Sequence, residues 1–456
     1  MSNIVHHPAS FKDPSGFVFQ KNDIFYRQIN QCYKEDYDLL MSSGLYKELT
    51  KKKYLISHEE INENFTGSPG YYKTILPEQL SFISYPYEWC FGQLKDAALL
   101  TLSIQKVAVN YGMILKDATP FNIQFLNGRP VFIDTLSFEK YDASKPWVAY
   151  RQFCECFLFP IFLQKFLKID VQKLMLTYPE GIPASVTKEL LPWKSNFKLG
   201  VGLHVSLQSR IKGGKNSGDY KGGFDQNKML QLVSNLEDNI KGCTLNKKNK
   251  TTWSNYYDET IISQSYLSEK EIIFRKLIST TEFKTVLDIG ANDGFFSKII
   301  SGEATLVVSI DFDSNCIGSL YSYIKQQKIP NILPLCIDFS NPTPATGFAN
   351  KERSSFPGRA KFDLLLALAL VHHLAISKNI PFENIAASFQ EIAETAIVEF
   401  VPKEDEKVQQ LLQNRRDIFD NYNEDEFRKA FEKYFNIIVV SEVPGTLRTI
   451  YMMKRK

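Results

Sequence analysis

Three aspartates close successive apolar runs in the C-terminal part of the chain: Asp288 in TVLDIG, Asp311 in VVSIDFD and Asp338 in LCID. The first run continues into Gly290-Ala291-Asn292-Asp293-Gly294. Glycines in such a turn let backbone approach a ligand closely, and carboxylates beyond strand ends accept hydrogen bonds from hydroxyls and amines. A Gly-x-x-x-Gly turn is not the Gly-x-Gly-x-x-Gly that cradles a pyrophosphate, so the expected ligand carries no phosphate there. On this pattern Asp288 faces an amino group and Asp311 accepts both hydroxyls of a ribose. Asp338 meets the amino group of adenine, and Phe312 or Phe339 packs on the ring. A lone Asp at a strand end often just caps the next helix. Three of them in register with Gly290, Asn292 and Gly294 point to an adenosyl ligand.

A second group could handle a proton. His372 and His373 follow the fourth apolar run, and an imidazole has the pKa to take a hydroxyl proton near neutrality. Glu399, near the end of the fifth run, is a third candidate base or a holder of a substrate hydroxyl. The plainer alternatives are that one histidine orients the loop while the other packs, and that Glu399 pairs with a neighbouring charge. Farther on, Val408, Leu411, Leu412 and Phe419 form an apolar stripe at helical spacing, with Arg415 on or beside it. An arginine buried there needs a carboxylate or an anionic ligand. Trp253, Tyr256, Tyr257 and Tyr266 precede the first run and suit either a stacking cover or ordinary interface packing.

The elements that must position these groups follow from the apolar pattern. Runs at 285–289, 306–310, 332–337, 362–368 and 396–400 are separated by stretches able to hold helices, which means a parallel, doubly wound α/β sheet covered on both faces. Two last runs, 435–440 and 449–453, lie too close around Pro444-Gly445 for a crossover and must pair as an antiparallel hairpin. This stretch resembles the class I S-adenosylmethionine-dependent methyltransferases, whose seven-stranded sheet ends in such a hairpin. Within them it is similar to a bacterial group that includes nodulation methyltransferases, through LDIGANDGFFS, LALALVHHLAI, EFVPKEDEKVQQLL and RRDIF. Asn292 stands where the usual motif has a middle glycine. The resemblance implies S-adenosylmethionine as cofactor and methyl transfer to an acceptor, expected to be a hydroxyl of a small molecule or saccharide. RNA or protein is the alternative acceptor.

The N-terminal half reads as an α+β domain. DPSGFVFQKNDIFYRQI alternates around Lys21-Asn22-Asp23 as a β-hairpin, a helical stretch covers 35–54, LSFISYP (80–86) is strand-like, and 87–109 has the recurrence of a long helix. Short strands at 122–126 and 130–133 flank Asn127-Gly128, and 151–167 reads as a buried helix. Asp117, Asn122 and Asp134 in YGMILKDATPFNIQFLNGRPVFID resemble the catalytic segment of protein-kinase-like and aminoglycoside-kinase-like folds. There the first Asp orients the acceptor hydroxyl, while the Asn and last Asp hold magnesium on ATP phosphates. The chain departs from that pattern at Leu115, where the histidine would be, and at Thr135. It has no glycine-rich ATP loop, and Arg27 is the cation nearest the expected strand. The half is therefore expected to be a degenerate kinase-like domain recognising substrate, with ATP-dependent phosphotransfer the alternative. SYPYEWCFGQLKDAALLTL and WVAYRQFCECFLFP extend the methyltransferase-group resemblance over this half too.

At 456 residues, with 44% hydrophobic and 23% charged residues, the chain suits two domains, expected at 1–211 and 251–456. Gly213-Gly214, Gly222-Gly223 and Lys247-Lys248-Asn249-Lys250 mark 212–250 as the connection. A net charge of +3 gives no field favouring nucleic acid or membrane. The seven cysteines include no CxxC, so neither a structural metal site nor a disulfide frame is expected. No run reaches the roughly 20 apolar residues of a membrane span, and the N-terminus lacks the order of a signal peptide. A cytoplasmic location is the expectation.

Overall fold

The computed structural model describes residues 4–206, 208–210, 223–245, 264–413 and 416–456. These fall into two compact units, the first comprising 1–247 with 345–353, the second 248–344 with 354–456.

The first unit opens with strands β1 (Ile4–His6), β2 (Gly16–Lys21), β3 (Ile24–Asn30), β4 (His58–Ile61) and β5 (Tyr71–Pro77), forming an antiparallel sheet in the order β1-β2-β3-β5-β4. Asn22 and Asp23 turn the β2–β3 hairpin with φ of 51° and 62°. Two left-handed residues match the strand twist in a tight hairpin, and Asn and Asp tolerate that region. Helices Lys34–Ser42 and Leu45–Lys51 lie between β3 and β4 in sequence, and the long helix is Phe91–Asn110. Then come β6 (Met113–Leu115), β7 (Ile123–Leu126), β8 (Arg129–Phe132) and β9 (Phe138–Lys140), pairing β6 with β9 and β7 with β8.

Three sequence expectations change in this unit. Residues 80–85 form no strand, because Ser84 is held by side chains. Its N–H donates to Gln124 Oε1 at 2.9 Å, its carbonyl accepts from Gln124 Nε2 at 2.9 Å, and its hydroxyl accepts from Trp89 Nε1 at 2.9 Å. The strand lies earlier, at β5, which has a partner on either side. The helix expected over 151–167 is interrupted by a π-turn at Cys154–Leu158, just before Pro160, whose missing N–H breaks the regular ladder. Within 212–250, residues Gln226–Lys241 form a helix capped by Asp225. Met229, Val233, Leu236 and Ile240 make a buried stripe along it, and Glu237 pairs with Lys106 of the long helix.

The second unit contains β10 (Thr285–Ile289), β11 (Leu306–Asp311), β12 (Ile332–Cys336), β13 (Phe362–Ala367), β14 (Ala393–Phe400), β15 (Phe435–Glu442) and β16 (Thr449–Arg455). The sheet order is β12-β11-β10-β13-β14-β16-β15. The first five run parallel, and β16 is antiparallel to both neighbours. Val286, Val307, Leu364, Leu365 and Ile397 are fully buried in it, as strands covered on both faces require. The chain runs outward from β10 through β11 and β12, then returns to the other side of β10 as β13. That reversal opens a crevice at the carboxyl ends of β10 and β13, where parallel sheets bind ligands. Five parallel strands closed by an antiparallel hairpin in this order are the class I methyltransferase fold. No described helix is long and apolar enough to cross a membrane.

Candidate functional site

The turn after β10 is shaped for close approach. Gly290, Asn292 and Gly294 have φ of 72°, 51° and 79°. A Cβ at Gly294 would meet Leu320 Cδ1 at 2.6 Å, and one at Gly290 would meet Leu370 Cδ1 at 3.2 Å. The left-handed backbone favours glycine at Gly294, and a larger residue there would also have to displace the Leu320 side chain. Asp288, buried, accepts a hydrogen bond from Ser297 Oγ at 2.5 Å, and that hydroxyl also touches Ser309 Oγ at 2.7 Å. Burial first, then the neighbouring Asp311 charge, push the Asp288 carboxyl up to about 6.

Asp311 accepts the N–H of Asn292 through Oδ2 and that of Asp313 through Oδ1, both at 2.9 Å. Burial raises its pKa. Neither Asp288 nor Asp311 has an ion-pair partner among the described residues, so both charges remain available to a ligand. Phe312, beside Asp311, is exposed. Asp338 is more committed: it accepts from Ser340 N at 2.9 Å and Ser340 Oγ at 2.6 Å, with Lys378 Nζ at 3.4 Å. Burial would raise its pKa, but those contacts outweigh it and hold it low. Phe339 packs against Phe389 at 5.6 Å between ring centroids. The glycine cradle and two carboxylates without an ion-pair partner among the described residues fit an adenosyl ligand bearing an amine and ribose hydroxyls.

Beyond β13 the backbone departs from regularity twice. Ala369 has φ of 53°, and His373–Ser377 form a π-turn. Between them His372 is 0% exposed, and among the described residues neither ring nitrogen has a hydrogen-bond partner. The rings of His372 and His373 lie 4.1 Å apart. Burial, aided by Lys407 and Arg448, pushes His373 down to about 4; burial, His373, Arg448 and Lys270 hold His372 well below the usual range. Both imidazoles are therefore neutral at pH 7.

Glu399, at the end of β14, is fully buried in a polar network. Lys270 Nζ donates to Glu399 Oε2 at 2.5 Å, and Tyr266 Oη donates to Oε1 at 2.8 Å. Arg448 Nη1 donates to Tyr266 Oη at 2.7 Å, while its Nε and Nη2 reach Asp405 at 2.8 and 3.0 Å. Burial would raise the Glu399 pKa, but Lys270 and Arg448 overcome it and keep the carboxylate charged. Burial pushes Lys270 down, with Glu399 opposing. Lys270, Arg448 and Asp405 were not singled out in the sequence; an arginine opening an otherwise apolar final run, RTIYMM, was the one available signal. The stripe expected around Val408 ends with its helix at Leu412, so Phe419 is not on it. Arg415, Trp253, Tyr256 and Tyr257 lie outside the described residues.

In the first unit Asp117, Asn122 and Asp134 do come together. Asp117 accepts from Gln152 Nε2 at 2.8 Å and Thr119 N at 3.1 Å, and burial, then Asp134, raise its pKa. Asn122 Nδ2 donates to Ser137 Oγ at 3.1 Å. Asp134 is held by Arg27 Nη1 at 2.6 Å and caps the turn at Leu136 N. Among the described residues no group of three or more His, Cys, Asp or Glu is placed to hold a metal ion.

No family model matches the chain. Among solved structures, the N-methyltransferase NodS of Bradyrhizobium japonicum WM9 bound to S-adenosyl-L-homocysteine is similar at 11% identity, covering 46% of this chain and 94% of its own, with a TM-score of 0.33. An S-adenosylmethionine-dependent methyltransferase of Aquifex aeolicus is 16% identical, covering 45% of this chain and 100% of its own, with a TM-score of 0.33. The bifunctional kinase-methyltransferase WbdD is 16% identical, covering 46% of this chain and 43% of its own, with a TM-score of 0.30. At such scores the strand order, not these likenesses, carries the fold assignment. A relative along nearly the whole chain is the nodulation protein NoeA of Rhizobium meliloti (strain 1021), 30% identical over 459 residues and covering 98% of this chain and 95% of the relative. Over both of its units, the chain belongs to the family of the nodulation protein NoeA, and its second unit carries the class I methyltransferase fold.

Proposed function

We propose that this chain transfers a methyl group from S-adenosylmethionine to a hydroxyl of a small molecule or saccharide. The observation that carries the reading is the pair of buried carboxylates, Asp288 and Asp311, without an ion-pair partner among the described residues, around a left-handed glycine turn at the switch point of the sheet. When bound, S-adenosylmethionine supplies an electrophilic methyl on a sulfonium. Asp288 would hold the amino group and Asp311 the ribose hydroxyls, with Asn292 between Gly290 and Gly294 bringing backbone against the ligand. Phe312, Phe339 and Asp338 would line the adenine. His373 and His372 stand on the acceptor side, where alignment of nucleophile and methyl and exclusion of water matter most. Glu399 supports that wall through Lys270 and Arg448.

Titration with S-adenosylhomocysteine tests the reading. The intact chain is expected to bind it, and Asp311→Ala to weaken binding at least about a hundredfold, the scale of two lost hydrogen bonds to a charged group. Unchanged affinity in that variant would refute the assigned site. A second reading, phosphotransfer by the first unit, is favoured by the convergence of Asp117, Asn122 and Asp134. Against it stands Arg27, which neutralises the carboxylate that would hold magnesium. Tight Mg-ATP binding abolished by Asp134→Ala would establish a nucleotide site there, and phosphoryl transfer from that ATP to an acceptor would establish the second activity.

A further inference from the structure

One short stretch of the first unit folds with its polarity inverted. The helix Ala184–Leu190 ends just before Pro192, and Trp193–Phe197 form a tight 3-10 turn. Leu191 and Ser195 are buried, at 6% and 3% exposure. Ser195 is fixed there, because its N–H and its hydroxyl both donate to the Pro192 carbonyl, at 2.8 and 2.7 Å. The large apolar side chains around them are left outside: Leu190 is 43% exposed, Trp193 67% and Phe197 79%. A lone exposed apolar residue needs no explanation. Three within one short stretch, on a turn that buries a serine instead, form a patch, and such patches mark surfaces that something covers. The other described tryptophans, Trp89 and Trp147, are buried.

The composition of the patch narrows what covers it. From 188 to 198 three lysines, Lys188, Lys194 and Lys198, accompany one acidic residue, Glu189, and all four are exposed. Protein interfaces gather aromatic residues but shed lysine. A membrane–water interface takes both, with rings at the level of the headgroups and ammonium groups against lipid anions. Lys194 lies over the Trp193 ring, its Nζ 5.9 Å from the centroid, so charge and ring share one surface. Trp193 and Phe197 meet edge to face, with centroids 5.7 Å apart and planes at 76°, and together make a compact apolar wedge. The overall charge of +3 conceals this basic excess because it is local, and attraction to a charged surface acts only within a Debye length.

We propose that the 190–198 turn docks the chain on an anionic lipid surface. Leu190, Trp193 and Phe197 enter the boundary between headgroups and acyl chains, while Lys188, Lys194 and Lys198 pair with lipid anions. The attachment is peripheral and reversible, since one turn buries far less apolar surface than a spanning helix. It concerns where the chain works, and it does not depend on the methyl-transfer reading.

Vesicle sedimentation of the full chain tests it, comparing pure phosphatidylcholine with phosphatidylcholine containing phosphatidylglycerol. Partition is expected on the anionic vesicles and should fall with added salt. Trp193→Ser with Phe197→Ser should lower it at least about tenfold, as should Lys194→Gln with Lys198→Gln. Because these side chains are exposed, both variants should keep the thermal midpoint of the unaltered chain. Trp193→Phe reports insertion directly: it should keep partition within about threefold but lose most of the fluorescence quenching that brominated acyl chains cause in the unaltered chain. Absence of partition by the unaltered chain, unchanged partition in the serine double variant, or undiminished quenching in Trp193→Phe would each overturn the inference. A dimer that the serine double variant dissolves, with no vesicle partition, would assign the patch to a second copy of the chain and equally overturn it. None of these outcomes bears on S-adenosylhomocysteine binding, so the proposed cofactor site stands or falls separately.

Discussion

Both units place carboxylates at the ends of short strands, yet the two sets meet opposite fates. Asp134 in the first unit is tied to Arg27 at 2.6 Å. Asp288 in the second takes a hydrogen bond from Ser297 and has no ion-pair partner among the described residues, and its pKa rises to about 6. Asp311 likewise receives only backbone N–H groups among the described residues. A charge that the protein has neutralised is structure, whereas a buried charge left unneutralised is held for something that arrives later. By that criterion the glycine turn of the second unit is the site we propose, and in the first unit Arg27 braces Asp134, whereas Asp117 keeps a raised pKa on hydrogen bonds alone. Glu399 belongs with Asp134: it lies buried at the end of β14, and Lys270 and Tyr266 bond both of its oxygens.

The comparison breaks first on stability. Glu399→Ala would leave Lys270 and Arg448 buried with a partner missing, which costs about 3–5 kcal/mol. Hydrogen exchange should show that loss across β14 and β16, and a change below about 1 kcal/mol would mean the network is looser than its distances imply. Cofactor affinity should respond next, through pH. An ammonium group needs Asp288 ionised, and with a folded-state pKa of about 6 the carboxyl is mostly protonated at pH 5 and mostly charged at pH 7. Binding must then expel a proton at the lower pH, so S-adenosylhomocysteine should bind about tenfold more weakly at pH 5 than at pH 7. An affinity flat across that interval would show that Asp288 does not face the amine. The smallest effect is expected from Arg27→Gln, whose partner Asp134 is partly exposed. We expect roughly 1–2 kcal/mol of local destabilisation in the first unit, discounted for screening, and no change in S-adenosylhomocysteine affinity.

Much of the second unit was legible because its strands are buried on both faces. Continuous apolar runs such as FDLLLA and TVLDI announce themselves, and the closeness of β15 and β16 excludes any crossover. The acidic strand ends and the glycine turn were legible for the same reason, since they interrupt those runs at fixed points. The buried network was not. Lys270 and Glu399 are 129 residues apart, and a lysine in SEKEIIFRK reads like any solvated helix position. Long-range pairing leaves no local pattern. In the first unit, 80–86 has the alternation of a strand but is fixed by side chains of Gln124 and Trp89, partners that no window of neighbouring residues contains. The triad Asp117, Asn122 and Asp134 was visible, but the capture of Asp134 by Arg27 depends on the placement of β3, whose Arg27 lies 107 residues earlier in the chain.

The most direct test titrates the full chain in parallel with S-adenosylhomocysteine and with Mg-ATP. One molecule of S-adenosylhomocysteine should bind per chain, losing at least about a hundredfold in affinity in Asp311→Ala, while Mg-ATP gives no saturable heat. Saturable Mg-ATP binding that Asp134→Ala abolishes, with no binding of S-adenosylhomocysteine, would contradict the account.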